Sequence, residues 1–284
     1  MQLLSSAELV KTLAAHTERA AAELLERDIF PHLAILLVGS NSDSLTYIDK
    51  KQARAKELGI TISIYHIEEE EPHDQAVLAL DHLSTDEEVH GIIVQLPLPE
   101  SWSKDETDQL LTHIAPEKDV DGLRGNWVET LTPSTDAAAT IMSSQVALPP
   151  MVAAVVLLLN HHAISLVGKK IVLVGHGRLV GTPLLQFLTA MGLDVVAVDE
   201  ETEKILGITK QADILISGTG QPDLITYLWI KEGAVVVDCA RDVHRDSVDQ
   251  IAEAVAPATG GVGPVTVQWL LHNTVLAATT QTSL

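Results

Sequence analysis

Short runs of Val, Ile and Leu alternate with longer helical stretches, and this alternation constrains the fold more than any other feature of the chain. His32–Val38, Thr61–Ile67 and Gly91–Gln95 have the length and β-branched content of buried strands. Between them, Ser44–Leu58 is a helical stretch closed by Gly59 as a C-terminal cap, and Pro72–Leu83 is a second. A later series, Lys170–Val174, Asp194–Val198, Asp213–Ser217 and Ala234–Cys239, repeats the pattern. Parallel strands need crossover connections, and helices supply them, so the chain predicts an α/β fold of two domains with helix-covered parallel sheets. Ser5-x-x-Glu8 is a capping-box pattern opening an amphipathic helix to about Glu26. Pro150–Asn160 starts a helix with proline in its first turn. The glycine-rich segment 260–264 breaks the chain before a last helix, Val265–Ala278, and Thr132–Val146 lacks periodicity and serves as a connector.

The 284 residues suffice for two ordinary domains. Eighteen basic against thirty-nine acidic residues give a net charge of −21, which repels nucleic acid and anionic membrane surfaces. Cys239 is the single cysteine, so no intrachain disulfide forms. No apolar run approaches the ~20 residues needed to cross a bilayer; Met151–Leu159 is too short. The N-terminus has the pattern of a helix rather than a targeting signal. A cytoplasmic protein is the expectation.

The strand K-K-I-V-L-V runs into G-H-G-R-L-V-G-T-P and then a helical stretch through Met191. Gly175, Gly177 and Gly181 give G-x-G-x-x-x-G, one residue longer than the usual dinucleotide fingerprint. Its first glycines allow a tight turn and close approach of a pyrophosphate to backbone N–H groups at a helix start. Asp199 closes the next strand, where a carboxylate commonly bonds the adenosine ribose of NAD. A glycine loop alone is a weak signal; the strand before it, the helix after it and the acid at the next strand end agree. Asp199-Glu200-Glu201 would repel a 2′-phosphate, which favours NAD over NADP.

A second constellation lies in the first half. Tyr47 and Lys51, four apart in a helical stretch, share one face. Gln95 and Asp121 stand where later strands or loops end. A Lys with a carboxylate, an amide and an aromatic lid is a candidate proton-transfer site. Taken singly, each has a bland reading: Lys51 as a solvated surface group, Tyr47 as a packing residue, Gln95 as a strand cap, Asp121 as a turn former. His161, His162 and His176 lack ligand-spaced partners, so no metal site is expected. Cys239, at the end of a buried strand, has the pattern of an inert core thiol.

Together, V-G-S-N-S-D-S-L-T-Y-I-D-K-K, V-Q-L-P-L-P, K-D-V-D-G, V-G-T-P, W-I-K-E-G-A-V-V-V-D and G-G-V-G-P-V-T resemble the bifunctional methylenetetrahydrofolate dehydrogenase/cyclohydrolase family over nearly the whole chain. The resemblance implies a folate-binding catalytic domain at 1–144, with the C-terminal helix 265–284 packing back on it, and a Rossmann NAD(P)-binding domain at 145–264. It implies that Tyr47 stacks on the folate, that Lys51 is the general acid/base of the cyclohydrolase step, and that Gln95 and Asp121 orient and tune Lys51. Ile48, Asp49, Lys50, Val94, Leu96, Pro257, Gly260 and Gly261 would line the site of the tetrahydrofolate substrate. Gly175, His176, Gly177, Arg178, Gly181, Asp199 and Arg241 would contact NAD or NADP. It also implies a homodimer formed through the Rossmann domains.

The departures from the family pattern concentrate on the cofactor side. G-R-S or G-A-S is G-H-G at 175–177, H-S-x-T is D-E-E-T at 199–202, and D-V-G-I-N is D-C-A-R-D at 238–242. C-T-P-[RK]-G is replaced by Ala147–Val152, and P-V-P-G-G by P-A-T-G-G. A second family lysine is Ala53. The folate quartet is intact. Three readings therefore compete: the bifunctional enzyme with altered cofactor use, a monofunctional cyclohydrolase with a degenerate cofactor site, and a non-catalytic folate- or nucleotide-binding regulator.

Overall fold

The computed structural model describes residues 1–40, 42–131 and 136–282. In chain order its first elements are β1 (Gln2–Leu3), α1 (Ala7–Leu25), β2 (His32–Val38), α2 (Ser42–Glu57), β3 (Thr61–Ile67), α3 (His73–Thr85), β4 (Gly91–Val94) and α4 (Lys104–Leu111). There follow α5 (Ala137–Met142), α6 (Pro150–His161), β5 (Ile171–Val174), α7 (Gly181–Ala190), β6 (Val195–Val198) and α8 (Ile205–Thr209). The last are β7 (Ile214–Ser217), β8 (Val235–Asp238), α9 (Arg245–Val248), β9 (Ala254–Ala256) and α10 (Gly263–Gln281). None of the described helices is long and apolar enough to cross a membrane.

The chain forms two compact units. One comprises Thr12–Trp127, Ser144–Leu148 and Val267–Leu284. It holds a three-stranded parallel sheet of order β3-β2-β4. Side chains of a strand alternate between faces, and β2 shows the consequence. Leu33, Ile35 and Leu37 enter a core with Ala21 and Leu24 of α1 and Leu271 and Val275 of α10. Ala34, Leu36 and Val38 enter a second core with Leu80 and Leu83 of α3 and Leu110 and Leu111 of α4. Burial on both faces is why β2 is an unbroken apolar run. Each buried Leu, Ile or Val among them contributes about 1.5–3 kcal/mol on burial. Helix α4 escaped the sequence reading although it carries a start signal: Ser103 Oγ accepts from Glu106 N at 3.2 Å and Ser103 N donates to Glu106 Oε2 at 2.9 Å.

The other unit comprises Met1–Lys11, Val128–Ser143 and Pro149–Thr266. Its sheet is parallel throughout, in the order β1-β9-β8-β7-β5-β6. From β5 the chain crosses outward to β6 and then returns to the far side of β5 to form β7, so the winding reverses between β5 and β7. Ligands of such sheets bind at this reversal, beyond the carboxyl ends of the strands. Helix α6 is buried from Val152 through Leu159, which explains its lack of a polar face.

Two expectations need correction. Of the expected 1–144 domain, Met1–Lys11 and Val128–Ser143 group with the six-stranded unit, the former because β1 pairs with β9 in the register Gln2↔Ala254 and Leu3↔Val255. A two-residue strand has too little periodicity to be found in sequence. The expected connector Thr132–Val146 contains helix α5, whose N-terminus is capped by the Asp136 carboxylate accepting from Ala138 N at 2.9 Å. Residues 132–135 of that connector, and 283–284 of the expected 265–284 segment, lie outside the described residues.

Candidate active site

In the three-stranded unit, the candidate residues Lys51, Gln95 and Asp121 come together at the carboxyl end of β4. The last N–H of its ladder, Gln95 N, donates to Leu36 O at 2.8 Å, which fixes where the Gln95 side chain leaves the sheet. The segment K-D-V-D-G runs alongside: Asp119 bridges to Ile92 in a parallel register, which carries Asp121 two residues further toward Gln95. Helix α2 begins shortly after β2 and brings Lys51. Lys51 is half-buried, and its ammonium donates to Gln95 Oε1 at 2.9 Å. The Gln95 amide cannot turn freely, because its Nε2 donates to Leu96 O at 3.0 Å. Its carbonyl therefore faces the ammonium.

Electrostatics tie Asp121 to the same group. Burial pushes the Lys51 ammonium below the usual lysine range, and the Asp121 charge opposes that shift. Burial pushes the Asp121 carboxyl up to about 6; the Lys51 charge pulls it down and the Asp119 charge pushes it further up. Both groups are thereby moved toward neutral pH, where a proton carrier is useful.

The four other positions of K-D-V-D-G are anchored around Asp121. The buried Lys118 ammonium donates to Leu83 O at 3.2 Å and Asp86 O at 2.6 Å. The buried Asp119 carboxylate accepts from Leu123 N at 3.2 Å and Arg124 N at 2.9 Å, closing the turn that presents Asp121. Gly122 occupies the left-handed region at φ 68°, and its carbonyl accepts from Trp127 Nε1 at 3.0 Å. From α10, Asn273, which is fully buried, donates to Val120 O and to Leu148 O, each at 2.8 Å. Asp119 and Asn273 were missed in the sequence. An Asn amid the apolar residues of Trp269–Ala278 was the available signal, since a buried amide requires partners.

Tyr47 lies one turn before Lys51, is 42% exposed, and has the Lys50 ammonium 5.4 Å from its ring centroid. Asp49 and Lys50 are exposed, and Leu96 is half-buried. Ile48 departs from expectation: it packs into the core with Leu24 and Leu58, because the apolar face of an amphipathic helix turns to the core. Val94 is likewise buried, leaving only its backbone to line a site.

The six-stranded unit carries the glycine loop. Gly175 follows β5 at φ 100°, and its N–H donates to Val198 O at 2.8 Å, joining the loop to the end of β6. A Cβ on Gly175 would sit 3.0 Å from Gly218 O, one on Gly181 would collide with the Gly175 carbonyl, and one on Gly218 with the Val180 side chain. The loops after β5 and β7 therefore touch backbone to backbone at the winding reversal, directly before α7. Thr182 locks the turn through its Oγ1, which donates to His176 O at 3.0 Å. This cradle of N–H groups at a helix start fits a pyrophosphate. His176 and Gly177 are exposed and Arg178 is half-buried. Asp199 follows β6; its Oδ1 accepts from Thr202 Oγ1 at 2.9 Å and Glu201 N at 3.2 Å, which holds the carboxylate at the strand end. Arg241 is exposed, with the left-handed φ of 66°. Pro257, Gly260 and Gly261 form a turn in this unit, held where Ser6 N donates to Gly260 O at 2.9 Å. Burial and the Asp238 and Asp242 charges push the Cys239 thiol well up, so it is a poor nucleophile.

Two family models match the chain: tetrahydrofolate dehydrogenase/cyclohydrolase, catalytic domain, over residues 4–121, and the NAD(P)-binding domain of the same family over residues 149–282. The bifunctional protein FolD of Macrococcus caseolyticus is 32% identical, covering 98% of this chain and 97% of its own. The crystal structure of the bifunctional enzyme FolD, methylenetetrahydrofolate dehydrogenase/cyclohydrolase, from Campylobacter jejuni is 32% identical with a TM-score of 0.86 over 99% of both chains. The N5,N10-methylenetetrahydrofolate dehydrogenase-cyclohydrolase of Trypanosoma brucei, solved with NADP cofactor and an inhibitor, is 27% identical with a TM-score of 0.85 over 99% of this chain and 98% of its own. With both family models matched, and with the Lys51 cluster on one compact unit and the glycine cradle on the other, the chain belongs to the tetrahydrofolate dehydrogenase/cyclohydrolase family.

Proposed function

We propose that the chain carries out both reactions of its family: oxidation of 5,10-methylenetetrahydrofolate to 5,10-methenyltetrahydrofolate with NAD(P), and hydrolysis of that product to 10-formyltetrahydrofolate. The observation that carries the reading is the 2.9 Å contact from Lys51 to an amide whose orientation is fixed, beside a carboxyl raised to about 6. In the first reaction a nicotinamide cofactor held at the glycine cradle would supply the hydride acceptor for the methylene carbon, and loss of the hydride leaves the folate a cation. That step calls on the protein for orientation rather than for an acid or base. In the second, water adds to the cationic carbon and the bond to N5 breaks. Water gives up two protons, one to N5 and one to solvent. Lys51 carries them, Gln95 holds its ammonium in place, and Asp121 stabilises its charged form. Tyr47 offers an exposed ring face to the substrate's aromatic part.

The two roles are divided between the units: the folate is handled by Tyr47, Lys51, Gln95 and Asp121, and the cofactor by Gly175–Gly181 and Asp199. The intact glycine cradle favours the bifunctional reading over a cyclohydrolase with a degenerate cofactor site. NAD is the preferred cofactor, because Asp199 and the exposed Glu200 and Glu201 oppose a 2′-phosphate. Homodimerisation through the Rossmann-type unit is supported by its edge strand β6, where Val196 is 40% exposed. Steady-state assays with NAD and NADP in parallel, together with methenyl hydrolysis, test the reading. Reduced cofactor formation with NAD and enzymatic hydrolysis are both expected. Hydrolysis without reduced cofactor would leave a monofunctional cyclohydrolase, and neither would leave a binding protein.

A further inference from the structure

Asp242 stands four residues beyond the end of β8, where the family pattern has Asn, and is fully buried. Its Oδ2 accepts from Ser217 Oγ at 2.5 Å and from Thr219 N at 2.7 Å. Ser217 and Thr219 flank Gly218, whose carbonyl backs onto Gly175 in the glycine cradle. The other oxygen, Oδ1, is buried without a hydrogen-bond partner. A second buried carboxylate, Asp238, lies beside it and accepts from Asp242 N at 2.9 Å. Among the described residues no cation pairs with either. The Asp242 charge contributes to raising both Asp238 and Cys239 above their usual ranges. A buried carboxylate with one oxygen unengaged and no countercharge is costly, and Asn in its place would keep the bonds to Ser217 and Thr219 without that cost. A positively charged group bound nearby would offset that cost.

The β5–β6 half of the crevice, with Asp199 at its strand end, would take the adenosine of a dinucleotide. The nicotinamide would then lie over the β7–β8 half, where Asp242 is hydrogen-bonded to Ser217 and Thr219 on either side of Gly218. The oxidised nicotinamide ring is cationic and the reduced ring is neutral. We propose that Asp242 is a specificity-determining residue that biases the cofactor site toward the oxidised nicotinamide. This inference rests on the dinucleotide reading of the six-stranded unit. It gives a function to a departure from the family pattern: by holding the oxidised form more tightly than the reduced one, Asp242 favours the oxidative direction and release of the reduced product.

Asp242→Asn tests it, since the side-chain carbonyl still accepts from Ser217 and Thr219 while the charge is removed. Dissociation constants of the oxidised and reduced cofactor are measured by calorimetry on wild type and variant, using NAD or NADP, whichever the wild type binds more tightly. The expected result is that the oxidised form weakens roughly fivefold or more relative to the reduced form. A melting curve establishes that the variant is folded, and Asp238→Asn, which should shift the ratio in the same direction, decides the matter if it is not. An oxidised-to-reduced ratio unchanged within about twofold in a folded variant would overturn the inference while leaving the dinucleotide reading intact. Failure of the wild type to bind any of these cofactors would remove both.

Discussion

Replacing Asp121 by Asn should alter how the hydrolysis depends on pH. The Asp121 carboxyl is raised to about 6 by burial, against the opposing pull of Lys51. With that midpoint it is about 97% ionised at pH 7.5 and about 9% ionised at pH 5. If the ionised form supports the charged state of Lys51 during proton transfer, the wild-type hydrolysis rate falls about tenfold over this interval. The sign follows from the direction of the shift. A raised carboxyl loses its charge as pH falls through 6, so activity is lost on the acid side and retained above. Asp121→Asn has no such ionisation, so its profile should lack the break near pH 6. Its rate at pH 7.5 should be lower by roughly ten- to a hundredfold, because Lys51 loses the charge that opposes its desolvation. The assay follows loss of the methenyl chromophore from pH 5 to 8, with the uncatalysed rate subtracted at each pH. A variant that keeps a tenfold acid-side break, or a wild type with a flat profile, would refute the role given to Asp121.

Gly181→Ala places a methyl group against the Gly175 carbonyl; cofactor affinity measured by calorimetry should drop at least about tenfold, with stability falling by about 1–3 kcal/mol. Asn273→Ala strands two buried carbonyls, those of Val120 and Leu148; thermal melts should report a loss of about 2–4 kcal/mol.

The strands and longer helices were legible because burial on both faces of a parallel sheet leaves continuous apolar runs, as in β2 and β5. The tyrosine–lysine pair was legible because helical spacing fixes neighbours four residues apart. What sequence could not reveal were contacts set by register and by distant backbone. The pairing of β1 with β9 joins residues about 250 positions apart, and neither strand is long enough to show periodicity. Asn273 reaches Val120 across more than 150 positions, and its meaning depends on two carbonyls that no local pattern marks. Ile48 was assigned to the substrate through its place in a motif, yet the helix turns that side chain into the core. The resemblance named the motif; the three-dimensional packing decided which of its side chains face out.

The most direct test concerns Lys51. In Lys51→Met, with both reactions measured on the same preparation, methenyl hydrolysis should fall by about 10²–10⁴-fold, the range for loss of a positioned acid or base. Cofactor reduction from the methylene substrate, which needs no proton carrier, should stay within several-fold of wild type. Hydrolysis at the wild-type rate in the folded variant would contradict the assignment of proton transfer to this side chain.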